Sequence, residues 1–204
     1  MSKTYHVSKR GSDTNSGTAW SPFFTISAAA EAARAGDRII VHEGEYREWV
    51  KPRYGGLSNT RRIIYEAAEG EKVVIKGSER IQIWEHVEGT VWKAALANDF
   101  FGDFNPYKEP VTGDWLIAPV GRQVHLGEVY LNGKSFFEAE SYEAVVAAEI
   151  RPDAFDQWAN KRLPLNDPAQ TGYQWFAELH DYETVIYANF QGADPNKALV
   201  EINV

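Results

Sequence analysis

The densest gathering of side chains able to bind or react lies in residues 99–109, Asp99-Phe100-Phe101-Gly102-Asp103-Phe104-Asn105-Pro106-Tyr107-Lys108-Glu109, with Gly113-Asp114-Trp115 close behind. Aromatics, carboxylates and an amide crowd into a stretch whose Gly and Pro mark it as a loop, and loops held by a rigid scaffold carry a disproportionate share of binding residues. Two kinds of chemistry could use the carboxylates Asp99, Asp103, Glu109 and Asp114: an acid/base pair, or a calcium loop. Calcium requires about six or more converging oxygens, and the spacing here matches no EF-hand. Solvated loop charges account for these carboxylates better.

The remaining chemistry-bearing residues exclude more than they suggest. His6, His42, His86, His125 and His180 are scattered, with no pair at a metal-binding spacing, so no metal site is expected. There is no cysteine, which removes disulfides, thiol catalysis and thiolate zinc sites. Neither a Gly-x-Ser-x-Gly elbow nor a Gly-rich phosphate loop occurs, so triad hydrolysis and nucleotide binding have no support and no cofactor is expected. A formal net charge of -8, with Lys and Arg dispersed along the chain, disfavours nucleic acid as a partner. No segment has the apolar length of a signal-peptide core or a bilayer span, so no membrane partner is expected and the cytoplasm is the expected location.

These residues must be positioned by a fold that the apolar pattern outlines. With 44% hydrophobic and 25% charged residues the chain can bury a substantial core. Its aromatic content of 13% suits pleated, half-buried sheet surfaces as well as stacking on sugar rings, and sheet packing is the ordinary use. A short strand at Tyr5-His6-Val7-Ser8 precedes a polar loop. The Ala-rich run 28–35 then predicts a helix, with Thr25 or Ser27 as its N-cap and Gly36 beyond its end. The strand Ile39-Ile40-Val41 follows, and Arg62-Ile63-Ile64-Tyr65-Glu66 begins one apparent period later, with Lys72-Val73-Val74-Ile75-Lys76 next, a spacing compatible with solenoid rungs. An exposed first rung needs a cap, and the Ala-rich helix stands where one belongs.

From about Ile83 the pattern becomes antiparallel. Residues 84–87 and 91–94 flank Glu88-Gly89, and 175–179 and 184–188 flank a polar turn. Glu128-Val129-Tyr130-Leu131 and Lys134-Ser135-Phe136-Phe137 flank Asn132-Gly133, whose residues accept the positive φ of a type I′ turn. Residues 142–158 read as helical or irregular. The apolar segment 198–204 reads as a strand returning to the rungs, with the natural protein continuing beyond it. The expected fold is mainly β: N-terminal rungs of a right-handed parallel β-helix with a helical cap (1–82), an inserted antiparallel β-sandwich (83–197), and a strand returning to the β-helix (198–204).

The string Gly36-Asp37-Arg38-Ile39-Ile40-Val41-His42-Glu43-Gly44-Glu45-Tyr46-Arg47-Glu48 resembles the first-rung motif of pectate-lyase-like β-helix proteins, a motif that specifies fold better than chemistry. Further strings are more specific: residues 61–80, Phe104-Asn105-Pro106-Tyr107-Lys108, Gly113-Asp114-Trp115, and Ala188-Asn189-Phe190-Gln191-Gly192-Ala193-Asp194-Pro195-Asn196. Together they resemble glycoside hydrolase family 120, β-xylosidases built on a β-helix with an inserted β-sandwich. The resemblance implies a retaining enzyme that hydrolyses xylo-oligosaccharides with an Asp nucleophile and a Glu acid/base, both beyond residue 204, so no catalytic residue is assigned and the 204 residues alone are expected to be inactive. It implies a glycan substrate, homo-oligomers, and a sandwich leaning over the sugar site, with Trp115 stacking on a sugar ring, Asn105 bonding a hydroxyl and Tyr107 assisting. Packing of Trp115 in the sandwich core and of Asn105 in a turn is the competing reading. A stand-alone carbohydrate-binding or structural module, and another β-helix enzyme such as a polysaccharide lyase, remain as alternatives.

Overall fold

The computed structural model describes residues 2–113, 122–156 and 158–204. The chain is mainly β and divides into two compact units, Met1–Gly77 and Ser78–Val204.

The first unit holds β1 (Thr4–Val7), α1 (Ile26–Ala32), β2 (Arg38–Val41), β3 (Gly44–Arg47), β4 (Ile64–Ala67) and β5 (Val73–Lys76). β1, β2 and β4 run parallel in one sheet, stacking Tyr5 on Ile39 on Tyr65 and Val7 on Val41 on Ala67. β3 and β5 form a second parallel ladder that aligns Tyr46 with Ile75. Val7, Phe23, Ile26, Ala29, Ile39, Val41 and Tyr46 close a core between these strands and the helix. Each fully buried Val, Ile or Phe in such a core contributes about 1.5–3 kcal/mol.

α1 starts where the sequence predicts, because the Thr25 side chain accepts from Ala28 N at 3.1 Å. A long-range carboxylate completes the cap: Glu48 accepts from Ile26 N at 3.0 Å and Ser27 N at 2.8 Å. The helix stops at Ala32, short of the expected run to residue 35. Asp37, which is 4% exposed, takes the backbone N–H groups of Arg34 and Lys3, and these bonds hold residues 33–37 in a turn that delivers the chain into β2. Tertiary capture of the backbone here overrides alanine's helix propensity.

The second unit contains β6 (Ser78–Arg80), β7 (Glu85–Glu88), β8 (Val91–Ala97), β9 (Val129–Leu131), β10 (Lys134–Ser135), β11 (Phe137–Glu138), α2 (Tyr142–Val146), β12 (Asp153–Asp156), β13 (Lys161–Pro164), β14 (Gln174–Leu179), β15 (Glu183–Asn189) and β16 (Val200–Asn203). Five strands assemble in the order β11-β14-β15-β8-β7 and four in the order β10-β9-β16-β6. The first sheet contributes Ala94, Leu96, Trp175, Ile186 and Ala188 to one core, and the second contributes Val129, Val200 and Ile202. The close packing tolerates no side chain at Gly127, where a Cβ would stand 2.5 Å from Cδ1 of Tyr107.

The Asn132-Gly133 turn forms as predicted, with φ of 52° and 81° and Leu131 paired to Lys134. The pairs β7–β8 and β14–β15 also follow the sequence pattern. Residues 142–158 differ from expectation, because only 142–146 are helical and 153–156 form β12, paired with β13. Both strands are short and half exposed, so neither carries the alternation that would mark a strand in sequence. Within 198–204, β16 lies between β9 and β6 and is antiparallel to both.

Candidate functional site

The loop singled out in the sequence is anchored by partly buried hydrogen bonds. Asn105 donates from Nδ2 to Thr184 Oγ1 at 2.8 Å, and its Oδ1 accepts from Tyr107 N at 3.0 Å. Tyr107 is 1% exposed, packs edge-on against Phe101 and Trp175, and donates its hydroxyl to the Glu128 carbonyl at 2.7 Å. Burial raises the Tyr107 phenol well above its ordinary value, so it stays a neutral donor at any working pH. Trp115 lies outside the described residues.

Beyond Tyr107, residues 109–111 and 124–126 are bridged side by side, at the root of the segment between them. Leu126 N donates to Glu109 O at 2.9 Å, Val111 N to Val124 O at 2.8 Å, and Pro110 pairs with His125. The Glu138 carboxylate clamps this root, accepting from His125 N at 2.8 Å and from His125 Nδ1 at 2.8 Å, with Arg122 Nη1 at 3.4 Å. Arg122 Nη2 also donates to the Glu138 carbonyl at 2.7 Å.

Glu128 stands immediately after that root. Its N–H donates to Asn203 Oδ1 at 2.7 Å, and Asn203 Nδ2 donates to Leu126 O at 2.6 Å. Among the described residues, only Trp84 Nε1 and Glu128 Oε2 are buried side-chain polar atoms with no hydrogen-bond partner. Burial first, and then the charge of Glu138, raise the Glu128 carboxyl above its ordinary value. Sequence patterns do not single out Glu128, Glu138 or His125, because their partners come from distant segments; the one local signal is a carboxylate leading into the Asn-Gly hairpin.

Two other features stand apart from this loop. In the first unit, His42 Nδ1 lies 3.1 Å from Glu71 Oε1, and His42 Nε2 lies 3.1 Å from His6 Nδ1, with the imidazole rings stacked. The Glu43 N–H and then His42 hold the Glu71 carboxyl below its ordinary value, and the row ties β1 to the segments that follow β2 and β4. In the second unit, a cleft of about 310 Å³ opens beside the Asn132-Gly133 turn, floored by Leu131, Phe136 and Tyr173 and edged by Lys134 and Asp167. No group of three or more His, Asp or Glu side chains among the described residues is placed to hold a metal ion.

Comparison with known proteins places this geometry. Residues 81–202 match the family model described as glycoside hydrolase 120, insertion domain, and residues 9–56 match a model described as a protein of unknown function, DUF1565. A structure of XylC in complex with xylose superposes with a TM-score of 0.95 at 60% identity, over 98% of this chain and 31% of that one. The uncharacterized protein YwoF of Bacillus subtilis (strain 168) is 39% identical over 72 residues, which are 35% of this chain and 15% of that protein. The chain thus spans about a third of XylC and a smaller share of YwoF.

Proposed function

The chain belongs to the glycoside hydrolase 120 family, and on that footing we propose that it forms the substrate-covering part of a retaining β-xylosidase that acts on xylo-oligosaccharides. The observation that carries this reading is the likeness, at 60% identity over 98% of this chain, to a protein solved with xylose. Under the proposal, the first unit supplies the capped opening rungs of a right-handed parallel β-helix. In favour, β1, β2 and β4 stack in register and β3 and β5 form a second parallel ladder. The outer strands of both ladders keep apolar groups in solvent, with Ile64 40% and Ile75 56% exposed, as surfaces that await a further rung would.

The second unit is proposed as a β-sandwich inserted into that helix. It begins with β6 and finishes with β16, and the two pair side by side, Ser78 opposite Asn203. A domain inserted into another needs its two ends together, and this pairing provides that. Catalysis is assigned to an Asp and a Glu outside residues 1–204, held about 5–5.5 Å apart as retention requires. Trp115 is proposed to stack on the sugar, while Asn105 and Tyr107 hold the loop that precedes it in the sequence.

Hydrolysis of xylobiose and of a chromogenic xyloside tests the reading. The full-length protein is expected to release xylose, residues 1–204 alone to release none, and Trp115→Ala in the full-length protein to lower kcat/KM by about tenfold or more, as loss of a stacking contact does. Turnover by residues 1–204 alone would remove the assignment of the carboxylates, and binding of xylo-oligosaccharides by the full-length protein without hydrolysis would favour a binding module.

A further inference from the structure

We propose that the cleft beside the Asn132-Gly133 turn binds a neutral sugar ring of the glycan, with Tyr173 as the stacking surface and Lys134, Asp167 and Gln170 as partners of its hydroxyls. The inference takes the identity of the sugar from the glycosidase reading above and assigns it a site that the reading does not use.

The cleft is built between two segments that are locked to each other. One is the hairpin of β9 and β10, and the other is the 3-10 turn Pro168–Gly172 with its flanking residues Asp167 and Tyr173. Lys134 Nζ meets Asp167 Oδ2 at 3.0 Å, Gln170 Nε2 donates to Ser135 O at 2.6 Å, and Phe137 N donates to Tyr173 O at 2.9 Å. Within the turn, the buried Thr171 hydroxyl donates to Pro168 O at 2.7 Å. Walls fixed in this way form a site before its ligand arrives. The volume of about 310 Å³ stands at the small end of the range for ligand sites, about 300–1,000 Å³, so the cleft suits a short stretch of glycan rather than a protein segment.

The lining selects the class of ligand. Phe136 is buried and Tyr173 packs on it with ring centroids 5.1 Å apart, so the floor is a firmly held apolar surface. At the rim the charges of Lys134 and Asp167 cancel, which offers nothing net to an anion or a cation, and the chain's net charge of -8 further opposes an anion. Asp167 Oδ1, Gln170 Oε1 and the Tyr173 hydroxyl have no hydrogen-bond partner among the described residues. A wholly apolar ligand would strip water from that rim and return no hydrogen bonds. A pyranose meets both demands, because it presents C–H groups on its faces and hydroxyls round its edge.

The test uses the full-length protein and a thio-linked xylotriose, whose sulfur bridges resist hydrolysis. Acylation of Lys134, read by mass spectrometry at rising ligand concentration, gives the affinity of this cleft, and Lys197, whose side chain is 84% exposed outside it, is the internal control. We expect the ligand to protect Lys134 and not Lys197, and the protection midpoint to rise about tenfold in Asp167→Ala, the loss typical of a hydrogen bond to a charged group. Tyr173→Ala should also raise it, and the exposed Asp167 keeps the comparison decisive should the Tyr173 variant fail to fold. No protection of Lys134, a midpoint that Asp167→Ala does not move, or protection by inorganic phosphate at lower concentration than by the sugar overturns the inference. Xylobiose hydrolysis judges the glycosidase reading separately. Turnover without protection defeats this site alone, protection without turnover defeats that reading alone, and the absence of both defeats the two together.

Discussion

Glu128 ties the stability of the fold to pH. Its carboxyl is raised in the folded protein by burial and by Glu138, so folding is favoured while the group is protonated. That contribution is present below the unfolded value near 4.5 and is lost as pH rises through the folded value. Glu128→Gln should therefore melt higher than wild type at pH 7, with the two converging below about pH 4.5, in thermal unfolding followed by circular dichroism. A Gln variant that melts lower at pH 7 would mean that the carboxylate has a stabilising partner. Glu71 works in the opposite sense: its carboxyl is lowered, so its contribution is present above the unfolded value and disappears as pH falls through the folded one. Neither effect was legible from residue types alone. The sequence marks Glu128 as the start of a strand, whereas its fixed backbone depends on Asn203 and Tyr107, which lie far from it along the chain.

Elements whose determinants are local were the legible ones. Asn132-Gly133 dictated its hairpin because both residues accept positive φ, and Thr25 marked the start of α1 because its side chain reaches Ala28 N. The end of α1 was not legible, since it depends on Asp37 capturing the N–H of Lys3 across 34 positions. Thr25→Ala should cost about 1 kcal/mol in urea unfolding. A negligible loss would show that Glu48, with its bonds to Ile26 and Ser27, caps the helix unaided. The candidate site divides along the same line. Asn105, Tyr107 and Trp115 were marked by composition, but the clamp of Glu138 on His125 and Arg122 is made through tertiary contacts. Tyr107, read as an assisting sugar contact, is a core residue whose hydroxyl is spent on a backbone carbonyl.

At the scale of the molecule, the second unit holds its own core and pairs its own first and last strands. Residues 78–204 expressed alone should accordingly unfold in one cooperative transition with native-like near-ultraviolet dichroism from Trp84 and Trp175, both buried there. A broad transition without that signal would mean that the unit depends on the rest of the chain. The pairing of β6 with β16 has a mechanical consequence as well. Ser78 and Asn203 are cross-strand partners, so to the flanking polypeptide the whole unit spans only about 5 Å, the reach of a tight turn. Tension applied through those two points loads the ladder at its open end, and its bonds break in succession as a zipper opens. The unit thus meets the flanking chain at a peelable seam, and a pulling experiment should detach β6 from β16 before the sheets around Trp175 yield.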